Sequence, residues 1–261
     1  MRFFDAHSHI HGKEFDADRS EVLARMRATD VSTITVGTHF ESSEKAVALA
    51  EKEKNIWATV GLHPTDTKES FDYEAYKKLA LSPRVVAIGE CGLDYFWEGD
   101  GDEREKQKEK FKTQINLALE IGKPIMIHSR PSRGSMDAYE NVLDILTSNF
   151  SLPTSQSPGN VHFFVGNEKI ARRFLELGFT MSFTGVITFA RDYDEVIKFL
   201  PLSSILSETD CPYVSPVPYR GKRNEPAYVA EVARKIAEIK DISIDQTVSA
   251  IAGNINRVFG V

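Results

Sequence analysis

The chain has 261 residues, 41% of them apolar, which supports one large folded domain and excludes a disordered chain. A formal charge of −6 excludes a protein that coats nucleic acid by bulk charge, while leaving room for an enzyme with a local basic patch. Two cysteines, Cys91 and Cys211, lie far apart, make no disulfide framework and fit a reducing compartment. The opening MRFFDAHSHI lacks a signal-peptide core or transit pattern, and no stretch reaches the ~18 apolar residues of a membrane span. The expectation is a soluble cytoplasmic protein, a monomer, with no membrane partner.

In chain order, short apolar runs alternate with longer amphipathic ones. RFFDA (2–6) reads as a strand and SEVLARMRAT (20–29) as a helix. VSTITVGT (31–38) is followed by SEKAVALAEKEK (43–54), and IWATVGLH (56–63) by YEAYKKLAL (73–81). VVAIGECG (85–92) precedes a long helical stretch, 102–122, which stops at Gly122 and Pro124. PIMIHS (124–129) leads to AYENVLDILTSN (138–149) across strand and helix, and NVHFFV (160–165) to EKIARRFLELG (168–178). FTMSFTG (179–185) precedes DEVIKFL (194–200), and SSILSETD (203–210) is the last strand. Two helices close the chain, 225–240 and 243–260, the second opening on Ser243 and Gln246 at capping-box spacing. The Pro/Ser-rich stretch 151–160 reads as a loop rather than a linker.

Eight strands, each followed by helical sequence, predict an α/β fold, a (β/α)8 TIM barrel forming a single domain over 1–261. A doubly wound open sheet is the competitor, weakened because no Gly-rich phosphate fingerprint follows the first strand. In a barrel, chemistry gathers at the C-terminal ends of the strands. Those ends carry His7 and His9, His63, Glu90, His128, His162 and Asp210, which include five of the seven histidines. A lone histidine there is ordinarily a loop or core residue. A rim holding five is poorly explained by chance. His7 and His9 are two apart, so strand alternation points both into the barrel mouth. His128 and His162 add nitrogens from the opposite side, Glu90 can bridge two metals, and Asp210 can close the site. Such mixed ligation suits one or two divalent ions, Zn²⁺, Mn²⁺ or Mg²⁺, and predicts hydrolysis by an activated water. His11 shares the parity of His7 and His9 but falls past the strand, so it reads as a loop bystander. Cys91 reads as a packed thiol.

DAHSH, VGLHP, IGECGLDY, PIMIHSR, VHFF, SETDCPY and RNEP, with REKQKEKF and NINRVFG, resemble in order and spacing the TatD-related metal-dependent deoxyribonucleases of the amidohydrolase superfamily. The resemblance implies hydrolysis of DNA phosphodiester bonds, as an exonuclease on single-stranded or damaged DNA. It implies that His7, His9, Glu90, His128, His162 and Asp210 are metal ligands, with Glu90 bridging. It implies further that Asp210 acts as general base, that His63 contacts the scissile phosphate, and that Glu208 holds a ligand or water. Arg130, and Arg223 in the basic loop YRGKRNEP, are the expected phosphate contacts, with Arg220 and Lys222 nearby. Tyr95, Phe96 and Trp97 offer an aromatic for base stacking or for packing. Two departures touch the rim. Val165 stands where the family has a small hydroxyl residue, and 131–137 reads as an insertion before Asp137. The alternative reading is a metallohydrolase of a small ester, lactone or amide.

Overall fold

A computed structural model describes residues 3–66, 68–97, 101–149 and 157–261. Its strands are β1 (Phe3–Ser8), β2 (Val31–Val36), β3 (Ile56–Val60), β4 (Val85–Asp94), β5 (Ile125–Arg130), β6 (Gly159–Val161), β7 (Thr180–Phe183) and β8 (Ile205–Ser207). The α-helices are α1 (Arg19–Ala28), α2 (Phe40–Lys52), α3 (Tyr73–Ala80), α4 (Gly101–Ile121), α5 (Asp137–Asn149), α6 (Glu168–Glu176), α7 (Asp194–Phe199), α8 (Val229–Lys240) and α9 (Ile244–Phe259). The strands pair in parallel and in sequence order, β1 through β8, as the alternating pattern predicts. The loop expected at 151–160 falls mostly on 151–156, outside the described residues.

The strands are apolar because both faces are covered, by helices outside and by the barrel interior inside. Helices present an apolar stripe at 3–4-residue spacing: Val229, Val232, Ala233 and Ile236 on α8 are all buried. Ser243 and Gln246 form the expected capping box at the start of α9. Closure between β8 and β1 is made by the segment beyond β8. Asp210 N–H donates to the His7 carbonyl at 2.9 Å, and His9 N–H to the Cys211 carbonyl at 2.8 Å. The Asp5 carboxylate, buried, accepts from Thr209 N–H and Oγ1, each at 2.7 Å. Barrel closure therefore also sets the spacing of His7, His9 and Asp210.

Boundaries differ from the sequence reading in ways that matter. β4 runs on to Asp94, past Gly92, where the strand was expected to end. Gly92 lies in the strand at φ +139, paired with His128 of β5. A Cβ there would run into the His128 carbonyl oxygen. Conversely β6 and β8 are only three residues each. Phe163 (φ +46) and Asp210 (φ +54) turn the chain into left-handed geometry after them.

Gly92→Ala is expected to lose roughly 2 kcal/mol or more of stability, from strain plus displacement of β5. Urea denaturation measures this, and an unchanged midpoint would show that β4 and β5 can separate there without cost.

Candidate metal centre

Alternation on β1 turns His7 and His9 the same way, and their Nε2 atoms meet 3.2 Å apart. Glu90, on β4, is 3% exposed and has its two oxygens facing two different groups. Oε2 lies 3.4 Å from His7 Nε2 and 3.8 Å from His9 Nε2. Asp210 Oδ1 completes that group, 3.7 and 3.4 Å from the same nitrogens. Oε1 lies 2.8 Å from His128 Nδ1, 3.0 Å from His162 Nε2 and 3.5 Å from His63 Nε2. Five of the rim residues singled out from the sequence, His7, His9, His63, His128 and His162, thus converge on Glu90, and Asp210 joins them beside His7 and His9.

The electrostatics demand positive charge. Burial alone would raise Glu90, but the imidazoles of His162, His7 and His63 outweigh it and hold the carboxyl well below the usual range. Burial likewise opposes ionisation of Asp210, which His9, His162 and His7 keep below its ordinary value. His7 Nδ1 is buried without a hydrogen-bond partner, and the Nε2 atoms of His7 and His9 face each other. Nitrogen and carboxylate donors aimed at shared points are the chemistry of a divalent-cation site, and these residues fit one.

The remaining ring nitrogens are tied back. His9 Nδ1 lies 2.9 Å from the Val36 carbonyl, and His63 Nδ1 2.7 Å from Thr65 Oγ1. His162 Nδ1 lies 3.2 Å from Glu208, which is fully buried and also accepts from Phe163 N–H at 2.6 Å and Ser182 Oγ at 2.5 Å. His128 Nε2 lies 3.1 Å from Asp94 Oδ2. Sequence reading missed Asp94. The signal in the sequence is period two: Glu90, Gly92 and Asp94 share one face, but Gly92 reads as the strand's end. Asp5, also missed, anchors Thr209 beside Asp210.

The donors open into a cleft of about 1000 Å³, also lined by Arg130, Trp97, Val165, His39 and Tyr213. Arg130 stands at this mouth as expected. Arg223 does not line the cleft. Its guanidinium bonds the Asp18 carboxylate at 2.6 Å and the Glu14 carbonyl at 2.7 Å, over the Phe15 ring, which holds it on the α1 side. Arg220 likewise donates to the Ser215 carbonyl and covers Phe189. Asp137 begins α5 and accepts from Ser132 and Arg104, outside the cleft lining. Val165 donates its N–H to Tyr139 Oη and packs against the core. Tyr95 is buried beneath Arg104, whereas Trp97 is exposed. Cys91 and Cys211 are buried free thiols, pushed up by burial. His11 is no solvated loop residue: it is buried, 2.7 Å from Thr35 Oγ1 and 2.8 Å from Ser42 Oγ. Burial, with neighbouring cations, pushes it down to about 3, so it stays neutral.

A (β/α)8 barrel with imidazole and carboxylate donors gathered at the C-terminal mouth defines a metal-dependent hydrolase. The family model described as TatD related DNase matches residues 4–260, and the chain belongs to that family. It is 38% identical over 263 residues to the uncharacterized metal-dependent hydrolase YabD of Bacillus subtilis, covering 99% of each chain. It is 33% identical to the 3'-5' ssDNA/RNA exonuclease TatD of Cronobacter sakazakii, over 90% of this chain and 89% of that one. The crystal structure of YJJV, a TatD homolog from Escherichia coli K12, superposes with a TM-score of 0.90 at 31% identity, covering 100% of this chain and 98% of that one. Among the described residues no helix is long and apolar enough to cross a membrane.

His11→Ala strands the Thr35 and Ser42 hydroxyls, and is expected to cost about 2 kcal/mol. Denaturant titration of the metal-free protein reads that loss. Metal stoichiometry of the folded variant should equal wild type, and a lost ion would make His11 a ligand.

Proposed function

We propose that this chain hydrolyses phosphodiester bonds of single-stranded or damaged DNA from an end, in the cytoplasm. The observation that carries the reading is Glu90, whose two oxygens face two separate nitrogen groups at 2.8–3.8 Å. Family membership and the exonuclease name of the Cronobacter relative support the substrate class. Buried free thiols fit a reducing compartment.

His7, His9, Asp210 and Glu90 Oε2 would hold one divalent ion, and Glu90 Oε1, His128 and His162 a second. Such ions, Mg²⁺, Mn²⁺ or Zn²⁺, supply an acidified water and charge for the phosphoryl oxygens when bound. Asp210 lies at the cleft side of its group, where its carboxylate can orient the attacking water and accept its proton. His63 reaches the cleft beside Glu90 and can meet a non-bridging phosphate oxygen. Glu208 and Asp94 act behind the ligands, fixing the rings of His162 and His128. Arg130 adds a guanidinium at the mouth for the phosphate backbone.

Glu90→Ala should lower hydrolysis by about 10³-fold or more and reduce the number of ions bound, with the far-UV circular dichroism unchanged. The assay uses labelled single- and double-stranded oligonucleotides with each metal, beside a panel of esters, lactones and amides. Wild-type rates in the variant would remove Glu90 from the centre. Wild-type turnover confined to the panel would replace the nuclease reading with the small-substrate one.

A further inference from the structure

Trp97 lies just beyond β4, after Tyr95 and Phe96, and is 65% exposed, yet it lines the same cleft as the metal centre. Phe96 meets it edge to face, ring centroids 5.2 Å apart at 89°. At the end of β5, Arg130 lays its guanidinium 3.8 Å from the Phe96 centroid and 5.6 Å from that of Trp97. Arg133 approaches Phe96 from 5.3 Å.

The other tryptophan gives the contrast. Trp57 is half-buried under Arg84, 4.9 Å away, and Arg84 spends its donors on the carbonyls of Ala50 and Glu53. That pair is structural. Among the described residues Arg130 is held by stacking: its side chain makes no hydrogen bond or ion pair with any of them, and its N–H donors meet no described partner at the cleft mouth. A guanidinium placed by an aromatic face, with its planar fork unused, suits an incoming phosphate. The indole beside it keeps a broad face in water, and every nucleobase offers a π-face to match it.

We propose that Trp97 and Arg130 form a nucleotide subsite. The unpaired base next to the scissile phosphate stacks on Trp97, while Arg130 takes a phosphate oxygen of the same nucleotide. This rests on the phosphodiesterase reading above and deepens it. A base within a duplex is already stacked and paired, so this subsite selects single strands and frayed or damaged ends. Phe96 is the positioning residue, since it sets the plane of Arg130.

The test crosses enzyme with substrate. Wild type, Trp97→Ala and Trp97→Phe are assayed on single-stranded oligonucleotides whose end nucleotides carry a base or are abasic. Trp97→Ala should lower kcat/KM on the normal strand by about tenfold, mainly through KM. Removing the base should cost wild type a similar factor, and the two losses should not multiply when combined. Trp97→Phe should recover most of the loss on the normal strand while leaving the abasic strand unchanged. Losses that multiply, or no loss in Trp97→Ala, overturn the subsite and leave the nuclease reading standing. Wild type inactive on every oligonucleotide but active on small esters overturns that reading, and the subsite with it.

Discussion

A carboxylate buried at the barrel mouth is the constraint on which the rest of this structure depends. Taking a charged group from water costs several kcal/mol unless opposite charge and hydrogen bonds meet it. Glu90 is met from β1, β5 and β6 and from the loop beyond β3, with nitrogens around both of its oxygens. Those imidazoles are themselves desolvated, yet the buried carboxylates favour the protonated rings of His162, His9 and His128, and that charge holds Glu90 low. The arrangement therefore demands positive charge, most of all where Asp210 adds a second carboxylate to His7 and His9. Divalent cations answer that demand, which is why the donor set reads as a metal centre rather than as a salt-bridge network.

Holding such a centre requires rigid rings, and the barrel supplies the rigidity through backbone contacts. His7 and Asp210 are tied by a main-chain hydrogen bond across the closing seam, and His9 is tied to Cys211 in the same ladder. Gly92 lets β4 approach β5 closely enough for Asp94 to reach the His128 ring. Glu208 gathers Ser182 of β7, the Phe163 amide and His162, so one side chain couples β6, β7 and β8. The outer nitrogen of nearly every candidate ligand is already committed to such a partner, leaving the inner one directed at the shared point.

Much of this was legible in the chain. Alternating apolar strands and amphipathic helices carry the barrel, and strand-end position picked out His7, His9, Glu90, His128, His162 and Asp210, which the fold brings to one place. What escaped was decided by local geometry that residue type conceals. Gly92 looks like a terminator, but a glycine can also mark close strand approach, so Asp94 was lost with the last two residues of β4. Arg223 looks like a phosphate ligand because it sits in a basic loop. Only the fold reveals that Asp18 and the Glu14 carbonyl, two hundred residues away in sequence, claim its guanidinium. His11 has the parity of a ligand and the position of a bystander, and is instead a buried tie between β2 and α2, since its two neighbours are hydroxyls rather than carboxylates.

The charge of the cleft links the metal centre to the substrate. Six carboxylates, Glu14, Glu41, Asp66, Glu90, Asp94 and Asp210, line it, against three cations, Lys13, Lys45 and Arg130. Those carboxylates outnumber the cations, in keeping with the acidic chain as a whole, and only protons on His9, His128 and His162 offset them. Under the proposed function, two divalent ions held among the donors would reverse the balance, and the mouth would attract phosphate. Metal loading and affinity for a phosphodiester would then be one electrostatic event. In the proposed subsite Arg130 would act at its edge, where a guanidinium with no polar partner among the described residues, beside an exposed indole, would choose which strand enters without retaining the product by bulk charge.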